Sequence, residues 1–153
     1  MDVRADLEAP CDPADLFAWV DDLSRYPSWL DIVPRSEVAE PATGDPGPAW
    51  TVDLRGRLGP LARSKRLRMA RTVHDRPGPS AAGAVRFERR ERDGRSHSPW
   101  VLSAEVEPAD GGSRLTMHLH YGGSLWGPVM ERLLGDEIER SRGRLLAQVA
   151  QAR

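Results

Sequence analysis

The sequence predicts an α+β fold in which one antiparallel sheet of seven strands carries a long C-terminal helix. Three observations predict it. Apolar and polar residues alternate with period two in a series of short segments. Turn-forming clusters separate those segments, among them "GDPGP", "RPGPSAAG", "RDGRSHS" and "PADGGS". The last stretch switches to helical spacing and stays there to the end. Alternation of this kind marks strands with one wet face, and short turns between them give a meander.

The elements follow in order. Val3, Ala5, Leu7 and Ala9 alternate with Arg4, Asp6 and Glu8, which makes an opening strand that Pro10 ends. "CDPADLFAWVDDL" reads as a helix, with Asp12 as N-cap, Pro13 in the first helical position and Leu16, Phe17, Val20 and Leu23 as its apolar stripe. Pro27 cannot continue that helix. A second helical turn is expected from about Pro27 to Ile32, tacked to the body of the protein by Tyr26 and Trp29. "SEVAEP" is a weak strand candidate. Stronger ones are "PGPAWTVDLRGRL", "KRLRMARTV", "AVRFERRER", "PWVLSAEVEP" and "SRLTMHLHY". The final helix is expected from about Leu125 to Ala150. Met130, Leu134, Ile138, Ser141, Leu145 and Val149 form its inner stripe, and Glu131, Arg132, Glu139, Arg140 and Arg142 its charged face. At ~1.5 Å per residue it is about 40 Å long, enough to cross a whole sheet.

Composition narrows the function classes. The chain has 153 residues, with no repeat and no internal boundary, so residues 1–153 read as one domain with one core. The net charge of −1 argues against a dedicated nucleic-acid binder. Its distribution is uneven: residues 1–49 carry 11 acids and 3 bases (−8), and residues 50–100 carry 13 bases and 5 acids (+8). Either the two blocks are solvated or face each other, or the basic block meets an anionic partner. The single cysteine, Cys11, excludes an internal disulfide. With no apolar leader and no apolar run near ~20 residues, a cytoplasmic location without integral membrane contact is expected. Of the 22 basic residues only Lys65 is lysine, which reads as a trait of genome composition.

Four stretches, "VRADLEAP", "LFAWVDDLSRYPSWL", "WVLSAEVEP" and "SRLTMHLHYGG", together with the order of elements, resemble the START-related SRPBCC superfamily. Its helix-grip fold is shared by birch-pollen-allergen type proteins, aromatase/cyclases and coenzyme Q-binding proteins. The chain looks most like small bacterial polyketide cyclase/dehydrase-type members. The resemblance implies a bent sheet gripping the last helix, with a cavity between them. "RYPSWL" would then gate one end, with Tyr26 and Trp29 as pins.

On that fold the inward stripe supplies candidate ligand-binding residues: Tyr26, Trp29, Leu54, Leu67, Met69, Phe87, Trp100, Leu102, Met117, Leu119 and Tyr121, with Trp126, Met130 and Leu134 from the final helix. A cavity lined this way suits an apolar or aromatic ligand with a few polar anchors. Arg71, Arg89 and Glu91 share the apolar parity. They stand near strand ends, pair across strands, hold a polar ligand group, or report a β-bulge.

The catalytic candidates are Arg71, Arg89, His97 and Tyr121. Arg71 or Arg89 could polarise a carbonyl, and Tyr121 or His97 could move protons. His118 and His120 share one strand face but lack a third ligand at sensible spacing, so no metal is expected. Cys11 lies beside a helix N-terminus without a base, and no phosphate loop or nucleophile elbow occurs. No cofactor is expected. The leading expectation is a module that encloses a hydrophobic small molecule (polyketide-, lipid- or isoprenoid-like). The alternatives are an aromatase/cyclase-type enzyme catalysing cyclisation and dehydration, and a non-catalytic protein-interaction or stress-response module.

Overall fold

The computed structural model describes residues 2–58, 61–122 and 127–152, with side chains described outside 57–63, 127–131, 133 and 134. The strands are β1 (Asp2–Ala9), β2 (Arg35–Val38), β3 (Ala49–Leu58), β4 (Leu61–Asp75), β5 (Gly83–Arg89), β6 (Trp100–Ala109) and β7 (Gly112–Tyr121). They form one antiparallel sheet in the order β1-β7-β6-β5-β4-β3-β2. Every strand but β1 lies beside its sequence neighbour, so β2 to β7 form a meander. At the β6–β7 turn Gly111 adopts φ +76°, and a Cβ on Gly112 would stand 2.1 Å from the Ala9 carbonyl oxygen. That turn therefore tucks against the end of β1 as only glycine permits.

The expected alternation holds. Trp50 and Val52 on β3, Leu67 and Met69 on β4, Val85 and Phe87 on β5, and Ala104 and Val106 on β6 are buried. Their neighbours, such as Arg66 and Arg86, face water. The last helix, α2 (Gly127–Gln151), lies on the same side and buries Ser141, Leu145 and Val149. Burying Leu145 and Val149 contributes ~1.5–3 kcal/mol each by area. The sequence expected α2 to start at Leu125, but that start lies outside the described residues.

The N-terminal crossover departs from expectation in a physically clear way. The first helix, α1 (Pro13–Phe17), stops at Phe17 where the sequence reading continued it to Leu23. Asp12 sits at the N-cap in extended geometry, but its side chain makes no capping bond. Beyond Phe17, four successive carbonyls are taken by side chains. Arg25 Nη1 donates to Ala18 at 2.9 Å, Trp29 Nε1 to Trp19 at 3.2 Å, Tyr26 Oη to Val20 at 2.9 Å and Arg71 Nη1 to Asp21 at 3.1 Å. These donors replace the helical ladder, and the chain turns. A 3₁₀ turn follows over Leu23–Ser28, earlier than the expected 27–32, because the Asp22 carboxylate caps it by accepting from the Ser24 N–H at 2.9 Å.

The loop before β3 is fixed by charge. The Asp45 carboxylate, only 5% exposed, accepts from Arg68 Nη2 at 2.8 Å and Nη1 at 3.0 Å, from the Ala42 N–H at 2.8 Å, and from Arg92. The Arg68 guanidinium first, and then the Ala42 amide, hold its carboxyl well below the ordinary value of 3.8. The native state therefore binds fewer protons than the unfolded chain below that value. Stability from Asp45 is fully present above pH ~4 and is lost as pH falls towards its native titration. Urea midpoints measured from pH 5 down to pH 2 should fall, and Asp45→Asn should flatten part of that fall. An unchanged pH slope in Asp45→Asn contradicts this role.

Candidate functional site

Between the concave face of the sheet and α2 lies a cavity of about 150 Å³. The sheet supplies most of its wall: Val3 and Leu7 from β1, Val52 and Leu54 from β3, Leu67 and Met69 from β4, Trp100 and Leu102 from β6, and Leu115, Met117 and Leu119 from β7. The crossover roofs it with Leu23, Tyr26, Trp29, Leu30, Ile32 and Val33. From α2 come Ile138 and Leu145, with Glu137, Ser141 and Arg142 as polar neighbours.

The roof is anchored by two aromatic side chains. Tyr26 and Trp29 pack with ring centroids 4.8 Å apart, and each donates to a carbonyl of the segment after α1. Burial, together with the charges of Asp21 and Asp22, pushes the Tyr26 phenol far above its ordinary range. It stays protonated and remains a donor to Val20. Arg25 adds to the same anchor, its guanidinium lying 3.8 Å from the centre of the Trp19 ring. Within the "RYPSWL" run Tyr26 and Trp29 thus serve twice, their polar atoms bonding the crossover and their rings lining the cavity.

The sequence candidates divide clearly. Tyr26, Trp29, Leu54, Leu67, Met69, Trp100, Leu102, Met117 and Leu119 line the cavity. Phe87 is fully buried one layer back, edge-on to Tyr26 at 6.3 Å and to Trp50 at 5.5 Å. Tyr121 is buried and stacked on Trp100, with centroids 5.0 Å apart. Trp126 lies outside the described residues, as do the side chains of Met130 and Leu134.

The polar candidates stand elsewhere. Arg71 bonds the Asp21 carbonyl and lies 6.0 Å from the Trp50 ring centre, with a register shift in β4 just beyond it. It is outside the cavity lining and braces the crossover. Arg89, 9% exposed, pairs with Glu91 at 3.3 Å and donates to the Ser98 carbonyl at 3.3 Å. His97 is exposed and bonds Asp93 at 2.8 Å, away from the cavity. Glu91, Asp93 and His97 bring their ligand atoms within 4.8 Å of one another, but two of the three are exposed. Glu91 is also committed to the Arg68 N–H at 2.9 Å. His118 and His120 both bond the Asp2 carboxylate on the outer face, at 2.8 and 3.0 Å. Cys11 is buried against Ser113.

Several lining residues were absent from the sequence candidates. Val3, Leu7, Val52 and Leu115 carry the inward parity but offer no signal that separates cavity from core. Leu30, Ile32 and Val33 lie in irregular backbone, where no periodicity points anywhere. Glu137 and Arg142 lie beside the apolar stripe of α2. Glu137 Oε2 and Arg142 Nε are buried without a hydrogen-bond partner, and Arg142 Nη2 stands 3.8 Å from the Asp6 carboxylate of β1.

A curved seven-stranded antiparallel sheet closed by a C-terminal helix, with an apolar hollow between them, defines a START-like helix-grip protein. The chain belongs to the family described as polyketide cyclase/dehydrase and lipid transport, whose model matches residues 1–150. The same fold occurs in a START superfamily protein from Mycobacterium smegmatis, at 15% identity over 99% of both chains with a TM-score of 0.68. It occurs in human StAR-related lipid transfer protein 5, at 12% identity over 98% of this chain and 76% of that one, with a TM-score of 0.77. It also occurs in a STAR-related lipid transfer protein from Xanthomonas axonopodis, at 15% identity over 97% and 85%, with a TM-score of 0.64. No curated protein sequence matches the chain. Among the described residues no helix is long and apolar enough to cross a membrane.

The placement of Arg71 yields a direct test. Arg71→Met should lower unfolding free energy by about 1.5–3 kcal/mol, the range for a lost charged hydrogen bond, as read by urea denaturation. It should leave the affinity of an apolar probe for the cavity unchanged. A large affinity loss in a stable Arg71→Met protein contradicts the bracing role.

Proposed function

We propose that the protein binds a hydrophobic small molecule in the cavity between sheet and α2, as a carrier or sensor. The observation that carries this reading is the cavity itself, lined by aliphatic and aromatic side chains under the pinned Tyr26–Trp29 roof. A hollow of about 150 Å³ suits a single ring system or a short acyl chain. Longer polyketide-, lipid- or isoprenoid-like molecules would need α2 to move outwards. Affinity comes chiefly from burying apolar surface, at ~25 cal/mol per Å² before the costs of association. The names of the structural relatives, lipid transfer proteins among them, agree with an apolar cargo.

Catalysis of the cyclase type calls for an acid or base and a polarising cation at the substrate. Arg71, Arg89 and His97 bond groups outside the cavity lining, which favours binding over turnover.

The test combines extraction with titration. Mass spectrometry of protein purified from its native host should recover an apolar compound at near-stoichiometric yield. 3-Phenylpropanol titrated by NMR should shift resonances of Leu102, Met117 and Leu145. Met117→Phe adds volume to the hollow and should weaken that binding about tenfold or more, at a stability cost of ~1–3 kcal/mol or less. Neither recovered compound nor probe binding, or equal binding by a folded Met117→Phe, overturns the reading.

A further inference from the structure

Just beyond the cavity lining, on the inner face of the sheet, two basic residues stand beside apolar lining residues. Lys65 on β4 stands directly opposite Leu54 of β3, and Arg89 on β5 directly opposite Met69 of β4. Leu54 and Met69 both line the cavity. Lys65 Nζ lies 5.5 Å from the centre of the Trp100 ring, and Trp100 also lines the cavity.

Two features of this cluster are incomplete. The Trp100 Nε1–H is buried and has no hydrogen-bond partner, although the residue is only 5% exposed. Buried indole N–H groups normally find an acceptor. The charges do not balance either. Glu91 pairs with Arg89 at 3.3 Å, and no carboxylate among the described residues stands within ion-pair distance of Lys65. Burial, and then the neighbouring Arg89 cation, hold the Lys65 ammonium below its ordinary range, with Glu91 offsetting only part. The cluster therefore has a donor without an acceptor and a cation without its own counter-charge, next to an apolar hollow. The α2 side of the cavity differs, because there Glu137 and Arg142 carry opposite charges and select neither sign.

We propose that Lys65 and the Trp100 indole N–H form an anchor for a carboxylate, and that the cavity's ligand is an apolar monocarboxylic acid with its acid group held there. The inference rests on the binding function proposed above and adds the chemical class of the ligand. A carboxylate there accepts from the indole N–H and supplies the charge that Lys65 lacks, while its ring or chain fills the space between Leu102, Met117 and Trp29. Charge-assisted bonds of this type are stronger where solvent is excluded.

The test compares 3-phenylpropionate with 3-phenylpropanol, which share an apolar body and differ in the head group. By NMR titration near pH 7, wild-type protein should bind the acid about tenfold or more tightly than the alcohol. Lys65→Met should abolish most of that preference and keep the alcohol affinity within about twofold, while Lys65→Arg should retain much of the preference. Trp100→Phe should reduce it as well. A second measurement needs no variant: the carboxyl of 3-phenylpropionate, labelled with carbon-13, should titrate at lower pH when bound to wild type than when free. If the alcohol binds but the acid is not preferred, or if its carboxyl titration is unshifted or raised, the anchor is wrong while the cavity function stands. If neither compound binds, both readings fail.

Discussion

Four backbone carbonyls in a row, those of residues 18–21, decide the shape of this molecule. Left alone they would continue α1 or lie buried without donors, and each buried orphan costs ~1–3 kcal/mol. Arg25, Trp29, Tyr26 and Arg71 supply the donors instead. Three of these come from the next ten residues and one from β4, so the crossover is tied both to itself and to the sheet. This bracing fixes Tyr26 and Trp29 as a roof at a set height above the strands. The roof holds because its aromatic rings are spent on hydrogen bonds at one edge and on packing at the other.

The hollow beneath has an energetic consequence. Atoms lining an unfilled apolar space lack packing partners on that side and forfeit those contacts. Larger side chains at Met117 or Leu102 could fill the space, and nothing in the strand pattern forbids them. A fold that keeps such a void is well suited to a guest that recovers the lost contacts on binding. The basic block of the middle strands also resolves in part. Asp45 of the preceding acidic segment pairs with both Arg68 and Arg92, and Asp53 within the block pairs with Arg66, so several of its charges are answered. Lys65 is left without such an answer.

Much of the fold was legible in the sequence because strand parity is a strong signal. Leu67 and Met69, or Leu115 and Met117, could face only one way. The C-terminal stripe of Ser141, Leu145 and Val149 was equally plain. The first helix was misjudged because its stripe of Leu16, Val20 and Leu23 persists after the backbone has left helical geometry. What stops the helix is a set of long-range donors that no local pattern carries. Arg71 shared the apolar parity, yet a register shift follows it in β4 and its guanidinium turns to the crossover. Parity also could not divide core from cavity, so Phe87 and Leu102 read alike although only Leu102 reaches the hollow. Lys65 read as composition because its meaning depends on Trp100 and Arg89, both distant in sequence.

The central physical claim is that a dry, apolar space exists under the Tyr26–Trp29 roof. Xenon-pressurised crystals test it most directly, because xenon enters empty apolar cavities and needs no chemical recognition. The account predicts xenon density bounded by Trp29, Leu102, Met117 and Leu145. Absence of xenon there, with side chains or ordered water filling the region, would contradict it.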